Sequence, residues 1–581
     1  NMFEVVEDLL RVEGMTDELL VRIRRYVTVM RPTEYNRGMV VRFLFRSRTE
    51  TDLQERRGFQ NGTYAGSPIK SYNRFLLSYG ESSSLARTSK QGVELGMLTE
   101  KDPGEQSIKD FLAGYLLVNV PSLSSRLILG DFVVESAEGL VLWRSIGFSK
   151  GSEVISPLQK HGSGIRPYLS TDENLFLRGA AVEWKVADVS LSAFHSSKPI
   201  TGSVNQDGVI TGLFSDGYHR TSGELAKKDN SHEQITGLRV QLPHLGGLRV
   251  GGTAYQARFD KPLFLNDASG YQNSSVAAGG LDLTYTNKLV SVFSEVAKTG
   301  TSSFARILGV VFEPHKRLDV AVIARSYPKD FANPHAFGFR ESGSLTQNES
   351  GLYVGAKFYA TQSLRFSMYF DQFQFPWRTS SLKLPTSGND FLLLCEIKLS
   401  RRTDLQILYK NRHKPFSLSQ PDLFGRQREA VRERNQKNYR LTLDFSSSAN
   451  TEWKSRFEMV DVKYSADVMA ERGFLWMQDL RLRTGHDFII DARVIIFQTD
   501  SFDSRVYEFE NDLRGTFLNP ALFGKGIRWY LLARQRLTGY LELSAKYSRT
   551  VKDGAKTISS GSNEIMGDAE SQMSFQIDVV F

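Results

Sequence analysis

The side chains that could do chemistry are few and scattered. Nine histidines are spread over 581 residues, and none stands at metal-ligand spacing from another. His161, His219, His315 and His335 fall in loop- or turn-like stretches, where solvated imidazoles are expected. The chain contains no GxxxxGKS/T, HExxH, GxSxG or paired CxxC pattern. Cys395, in FLLLCEIKL, is the one cysteine, so no disulfide forms within the chain and the thiol reads as a small apolar residue. The expectation is a protein that is not an enzyme and uses no metal or cofactor. Only a serine–histidine pair far apart in sequence would escape that reading.

Three polar groups remain. Arg22, Arg24 and Arg25 follow a turn at Gly14-Met15-Thr16 and could pair with phosphates. Arg166, Asp172, Glu173, Asn174 and Arg178 surround a stiff corner at Pro167-Tyr168. In SFDSRVYEFENDLRGTF, Tyr507 and Phe509 alternate with Glu508 and Glu510, beside Arg505, Asp512 and Arg514. Opposite charges there are expected to pair along or across strands.

The elements that carry these groups are strands. The last eleven residues, SQMSFQIDVVF, put Met573, Phe575, Ile577, Val579 and Phe581 on one phase, with Ser574, Gln576 and Asp578 on the other. Tyr439 to Phe445, Leu318 to Ala324 and Asp487 to Phe497 repeat the alternation. Hydrophobic residues make up 40% of the chain, yet no run approaches the roughly 18 apolar residues a membrane helix needs. A chain of this length that spans a membrane must then do so as a closed barrel. Short connections are expected near Asn287-Lys288, Pro314-Lys316, Thr361-Gln362, Arg401-Arg402, Ser447-Ser448 and Gly485-His486. Longer polar loops are expected at 259–275, 327–350, 374–388 and 413–435, with the charged run Arg426–Lys437 solvated in the last. The rhythm breaks around 130–174 and 499–526. Counting both breaks gives an odd tally, so the expected number is about 26 strands, with 24 next. The first break reads as a segment folded into the lumen, with Arg166, Tyr168, Asp172, Glu173, Asn174 and Arg178 forming a plug or constriction. The formal charge of +8 is diffuse and suits either nucleic acid or anionic lipopolysaccharide.

Residues 1 to 30 have helical spacing on both sides of Gly14 and predict a short α-helical hairpin. VEDLLRVEG followed by MTDELL and YVTV resembles the second half of a tandem helix-hairpin-helix module, as in ComEA-type DNA-uptake receptors and a minor pseudopilin of type II secretion. In DNA-binding versions a glycine-flanked turn contacts phosphate through backbone N–H groups. Thr16 stands where the second glycine would be, which favours a packing or docking role over DNA binding. GD with GLVLW, GIRPY with DEN and RGAA, DSRVYEFEND, and GKGIRWYLLAR together resemble the large helix-hairpin-helix outer-membrane barrel proteins of Bacteroidota and related phyla. That resemblance implies a bacterial outer-membrane barrel with both termini in the periplasm. No activity comes with it. The ending SQMSFQIDVVF separately resembles the terminal strand of bacterial outer-membrane β-barrels, which implies Phe581 as the residue read by the barrel-assembly machinery. An export signal is expected to have been removed or to lie upstream of Asn1.

The resulting expectation is an all-β transmembrane barrel over 36–581 behind a periplasmic hairpin at 1–30. Its role is conduit or docking component of an envelope transport or secretion complex. A DNA-uptake barrel and a sealed scaffold are the alternatives. Partners would be outer-membrane lipid, lipopolysaccharide and other envelope proteins, with DNA supported only by the hairpin.

Overall fold

The computed structural model describes residues 39–581, apart from 82–91, 144–149, 157, 214–216, 267–268, 301, 344, 380–381, 422, 466–468 and 486. The hairpin predicted at 1–30, with Gly14, Thr16, Arg22, Arg24 and Arg25, lies outside the described residues.

A single antiparallel wall dominates. Its strands are β1 Met39–Asp52, β2 Lys70–Glu81, β3 Gly92–Lys101, β4 Phe111–Val120, β5 Ser125–Glu135, β6 Leu177–Val186, β7 Val189–Ile200 and β8 Ser231–Gln241. It continues through β9 Leu248–Phe264, β10 Gln272–Thr286, β11 Val290–Thr299, β12 Ala305–His315, β13 Leu318–Tyr327, β14 Glu349–Thr361, β15 Leu364–Phe375 and β16 Thr386–Ser400. It ends with β17 Thr403–Pro421, β18 Gln427–Ser448, β19 Thr451–Tyr464, β20 Glu471–Thr484, β21 Phe488–Thr499, β22 Lys525–Arg536, β23 Leu541–Lys552 and β24 Ala569–Val580. Each pairs with its neighbour in sequence, and β24 returns to β1 in a register running from Leu44↔Val580 to Asp52↔Gln572. The barrel is therefore closed with 24 strands. No helix among the described residues is long and apolar enough to cross a membrane.

The expected 26 strands are corrected to 24. The surplus came from the two breaks, which hold only short inner pairings such as Gly164–Pro167 on β5 and Val506–Tyr507 with Ala521–Leu522. The charged run Arg426–Lys437 is also corrected. From Gln427 onward it lies in β18, paired with β17 from Pro421↔Gln427 down to Asn411↔Lys437. Beyond the Asn389↔His413 and Arg434↔Tyr464 pairs, β17 and β18 pair only with each other, so this ribbon projects past the wall. Polar side chains on both faces are what a water-exposed ribbon tolerates. Likewise β9 runs to Phe264, which leaves only 265–271 of the loop expected at 259–275.

The two faces of the wall differ in chemistry. On β24, Met573, Phe575 and Ile577 point outward and are 37, 50 and 44% exposed, while Ser574, Gln576 and Asp578 are 4, 1 and 4% exposed. Tyr439, Leu441, Leu443 and Phe445 are exposed on β18 in the same way. Oily side chains outside and polar ones inside reverse the order of a soluble core. Connections of a few residues alternate with longer ones, so turns gather at one rim and loops at the other. Phe581 sits at the turn rim, where its ring stacks on Tyr540 at 5.0 Å and its N–H donates to the Phe43 carbonyl.

The inward phase is apolar where loops fold back onto it. Ile495 and Phe497 of β21 are fully buried against Val506 and Leu522. Phe293, Ile307, Ile323 and Tyr353 pack against Leu140, Val141 and Leu142, which are also fully buried. At about 1.5–3 kcal/mol per large apolar side chain, that contact holds the loops inside.

Candidate functional site in the barrel lumen

The connection after β5 turns into the lumen at once. Ala137 and Gly139 adopt positive φ of 45° and 83°, and a Cβ at Gly139 would lie 2.7 Å from the Phe337 carbonyl oxygen. The tight turn presents three backbone N–H groups, of Glu138, Leu140 and Val141, to the Glu295 carboxylate on β11 at 2.8, 3.0 and 3.1 Å. A carboxylate gripping successive amides is a strong, charge-assisted arrangement. The connection between β13 and β14 closes over the same hairpin. Asn333 Nδ2 donates to the Leu140 and Val141 carbonyls at 2.8 and 2.9 Å, and Tyr255 Oη donates to Asn333 Oδ1 at 2.5 Å. Trp143 N–H donates to the His335 carbonyl, and Phe337 N–H to that of Gly139.

Further along the first loop, Lys150 Nζ meets Asp371 at 2.8 Å and also pairs with Glu341. Glu341 takes Arg412 and Lys414 as well, from β17. Arg325 is fully buried and shared between Glu349 and Asp371, each at 2.7 Å. The loops are thus tied to β11, β13, β14, β15 and β17 by buried ions whose charges compensate. Removing one partner from such a set strands the rest in low dielectric.

The residues expected to form a plug are not gathered at one point. Arg166 pairs with Glu135. Arg178, on β6, grips Asp131 of β5 at 2.7 and 3.0 Å. Tyr168 stacks on Phe176 at 5.0 Å and donates to the Asp172 carbonyl, while Asp172 Oδ1 accepts the Asn174 and Leu175 N–H groups. Lys198 Nζ donates to the carbonyls of Glu173 and Asn174. These residues build a corner against β5 to β7. The groups that hold the loop in the lumen are Glu295, Asn333, Lys150 and Glu341. Sequence reasoning missed them because the contacts between the 138–150 stretch and Glu295, Asn333 and Glu341 join residues more than 150 positions apart. The trace they leave is a charge on the inward phase of otherwise apolar strands, as at Glu295 and Arg325.

The second break forms a strap along the inner wall. Glu508 meets Arg456 of β19 at 2.7 Å, Glu510 meets Arg528 of β22, and Lys546 of β23 reaches both Glu510 and Asp512. Arg514 pairs with Glu542 of β23, and Arg48 of β1 donates to Thr516 Oγ1 at 2.6 Å. Charges do pair here, as the sequence suggests, although the strap crosses the wall strands and is not one of them.

At the loop rim, Glu105, Asp110 and His219 bring ligand-type atoms within 4.8 Å of one another. His219 Nδ1 lies 2.6 Å from Asp110 Oδ2, Lys228 takes the other oxygen at 2.8 Å, and Glu105 accepts the His219 N–H. Burial pushes Glu105 up to about 7. Burial, aided by the Asp110 and Glu105 charges, pushes neighbouring Glu173 up to about 9. Burial also acts on Asp110, but the hydrogen bonds from His219 and Lys228 outweigh it and hold that carboxyl below its usual value. The solvated state expected of His219 and His335 is corrected, since both are 2% exposed. His219 is locked into this cluster, and His335 pairs with Glu233 inside the barrel at 3.1 Å. With Lys228 satisfying Asp110, the cluster works as a knot between loops.

No protein-family model matches the chain, and no curated protein does. Solved outer-membrane barrels resemble it remotely. The copper transporter OprC aligns at 10% identity with a TM-score of 0.44, over 94% of this chain and 80% of that one. The siderophore receptor PirA from Acinetobacter baumannii gives 7% and 0.42, over 93% and 80%. The FrpB iron transporter from Neisseria meningitidis gives 8% and 0.40, over 95% and 83%. Likeness at that distance carries no inference about what this chain transports or binds.

Proposed function

We propose that the chain is an integral outer-membrane barrel that works as a gated conduit or docking component of an envelope complex. The loop at 136–176 acts as its plug. The outward oily phase supports the membrane setting, since such a surface is unstable in water at this extent. The observation that carries the gating reading is how the loop is held. It is fixed by a carboxylate at Glu295, an amide at Asn333, an ammonium at Lys150 and the buried Leu140, Val141 and Leu142, and among the described residues its sheet pairing to the wall is confined to Gly164–Pro167 on β5 and one bridge between Glu135 and Trp143. Such contacts can be exchanged for water as the loop leaves. A partner at either rim would supply the differential binding that opens it.

Conductance in planar bilayers tests this. Gly162 packs against the backbone of Ala137, so excising 138–161 leaves ends already side by side. The intact barrel is expected to stay closed and the excised one to pass current. Equal, negligible conductance in both would reject the gate in favour of the sealed scaffold, which the density of buried ion pairs favours. DNA uptake rests on residues 1–30 alone; salt-sensitive retention of duplex DNA by the full chain is its test.

A further inference from the structure

The strap at 505–517 turns its charges to the wall and its rings to open space. Glu508 and Glu510 are 2 and 0% exposed, while Tyr507, Phe509 and Phe517 are 41, 45 and 68% exposed. The Phe509 and Phe517 rings touch at 5.0 Å. Strand-like alternation produces this split, but exposed rings on the inner side of a polar lumen gain nothing for folding. Beside Phe509, toward the turn rim, lies a cavity of about 340 Å³ walled by β18 to β21 and by Glu508, Phe509 and Asn511 of the strap.

The charges around that cavity cancel in pairs. Lys454 meets Asp444 at 3.1 Å, Arg456 meets Glu508 at 2.7 Å, Arg481 meets Asp491 at 2.5 Å, Arg493 meets Asp479, and the remaining carboxylate of the lining, Glu452, meets Arg483 of β20 at 2.8 Å. A free anion or cation finds a partner of its own sign beside every partner of the opposite sign. A neutral ligand rich in hydroxyls finds both donors and acceptors in fixed positions. The Asn511 side-chain amide, which makes no hydrogen bond to another described residue, adds one of each. A ring with weakly positive C–H faces suits the negative face of Phe509.

We infer that this cavity is a saccharide site, taking about one or two neutral sugar rings stacked on Phe509 and hydrogen-bonded to Asn511 and the paired charges. Occupancy does not depend on whether the lumen conducts, so binding reads this inference and conductance reads the gate.

The test uses the full-length barrel in detergent, labelled and applied to an array of neutral and acidic oligosaccharides, followed by calorimetry with the best-retained glycan. Saturable binding of neutral glycans, little changed by salt, is expected. Phe509→Leu keeps apolar bulk against Phe517 but removes the ring face, and should weaken affinity about tenfold. Phe509→Tyr should retain it, and Asn511→Ala should weaken it several-fold with an unchanged melting temperature. Failure to retain any glycan would overturn the assignment. So would equal binding by Phe509→Leu, or binding confined to acidic glycans and lost with salt.

Discussion

Glu295 holds the turn of the plug directly, because one carboxylate satisfies three amides. Glu295→Gln keeps the shape but replaces an anion with a neutral group that can accept fewer of those bonds. The expected cost is about 1–3 kcal/mol of local stability. Hydrogen exchange at the amides of Glu138, Leu140 and Val141 measures it; unchanged protection would mean that Glu295 is incidental. The loop-rim knot predicts a pH effect with a definite sign. In the unfolded chain Glu105 and Glu173 lose their protons near 4.5, whereas in the folded loops they keep them to about 7 and about 9. Their contribution is therefore complete below 4.5 and declines as pH rises through those higher values. Proteolysis of the 102–110 loop should be slower at pH 5 than at pH 8, and Glu105→Gln should flatten the difference between pH 5 and 7. A rate that falls with pH would contradict the assignment. Nothing in the sequence joins Glu105 to His219, 114 positions away. Local pattern therefore placed this histidine in water, and a three-loop contact took it out.

Among the elements, strands whose two faces meet different media were the legible ones. Tyr439 to Phe445 and Met573 to Phe581 declare their outward phase because lipid admits no charge there. The ribbon at 413–435 was illegible for the opposite reason. Both its faces meet water, so period-two contrast vanishes although the hydrogen-bond ladder continues. The strap was half legible: its alternating Glu and aromatic residues were visible, but not that they cross the wall. Excising 416–432 from the ribbon should leave barrel formation intact, because the strand ladder there joins these residues only to each other and ties none of them to the neighbouring wall strands. Heat-modifiable mobility on gels reports it, and loss of the folded band would show that the ribbon supports the wall. Replacing both Glu508 and Glu510 by Gln should loosen the strap, since Arg456 and Arg528 lose their counter-ions and Lys546 keeps only Asp512. Faster cleavage at 505–517 in the folded barrel would register the loosening.

For the whole molecule, closure in lipid is the premise with the sharpest consequence. Phe575→Arg places a charge on the outward face of β24 and should cost about 2–4 kcal/mol if the site lies near mid-membrane, much less near an interface. Gln576→Arg faces the polar interior and should be milder. Folded yield in vesicles compares them, and equal yields would argue against a lipid-facing exterior. The strand total escaped sequence reading because inward loops carry strand-like residues without joining the wall. The joint between β24 and β1 has one more property. Arg46 meets Asp578 across it, and the strap reaches over it, from Lys546 and Glu542 on β23 to Arg48 on β1. Sliding the last strand by two residues would carry these partners about 7 Å apart while leaving oil against oil outside. The exterior cannot distinguish such a misjoined barrel from a correct one. The strap can, and so it serves as an internal gauge of whether the cylinder has been sealed in the right alignment.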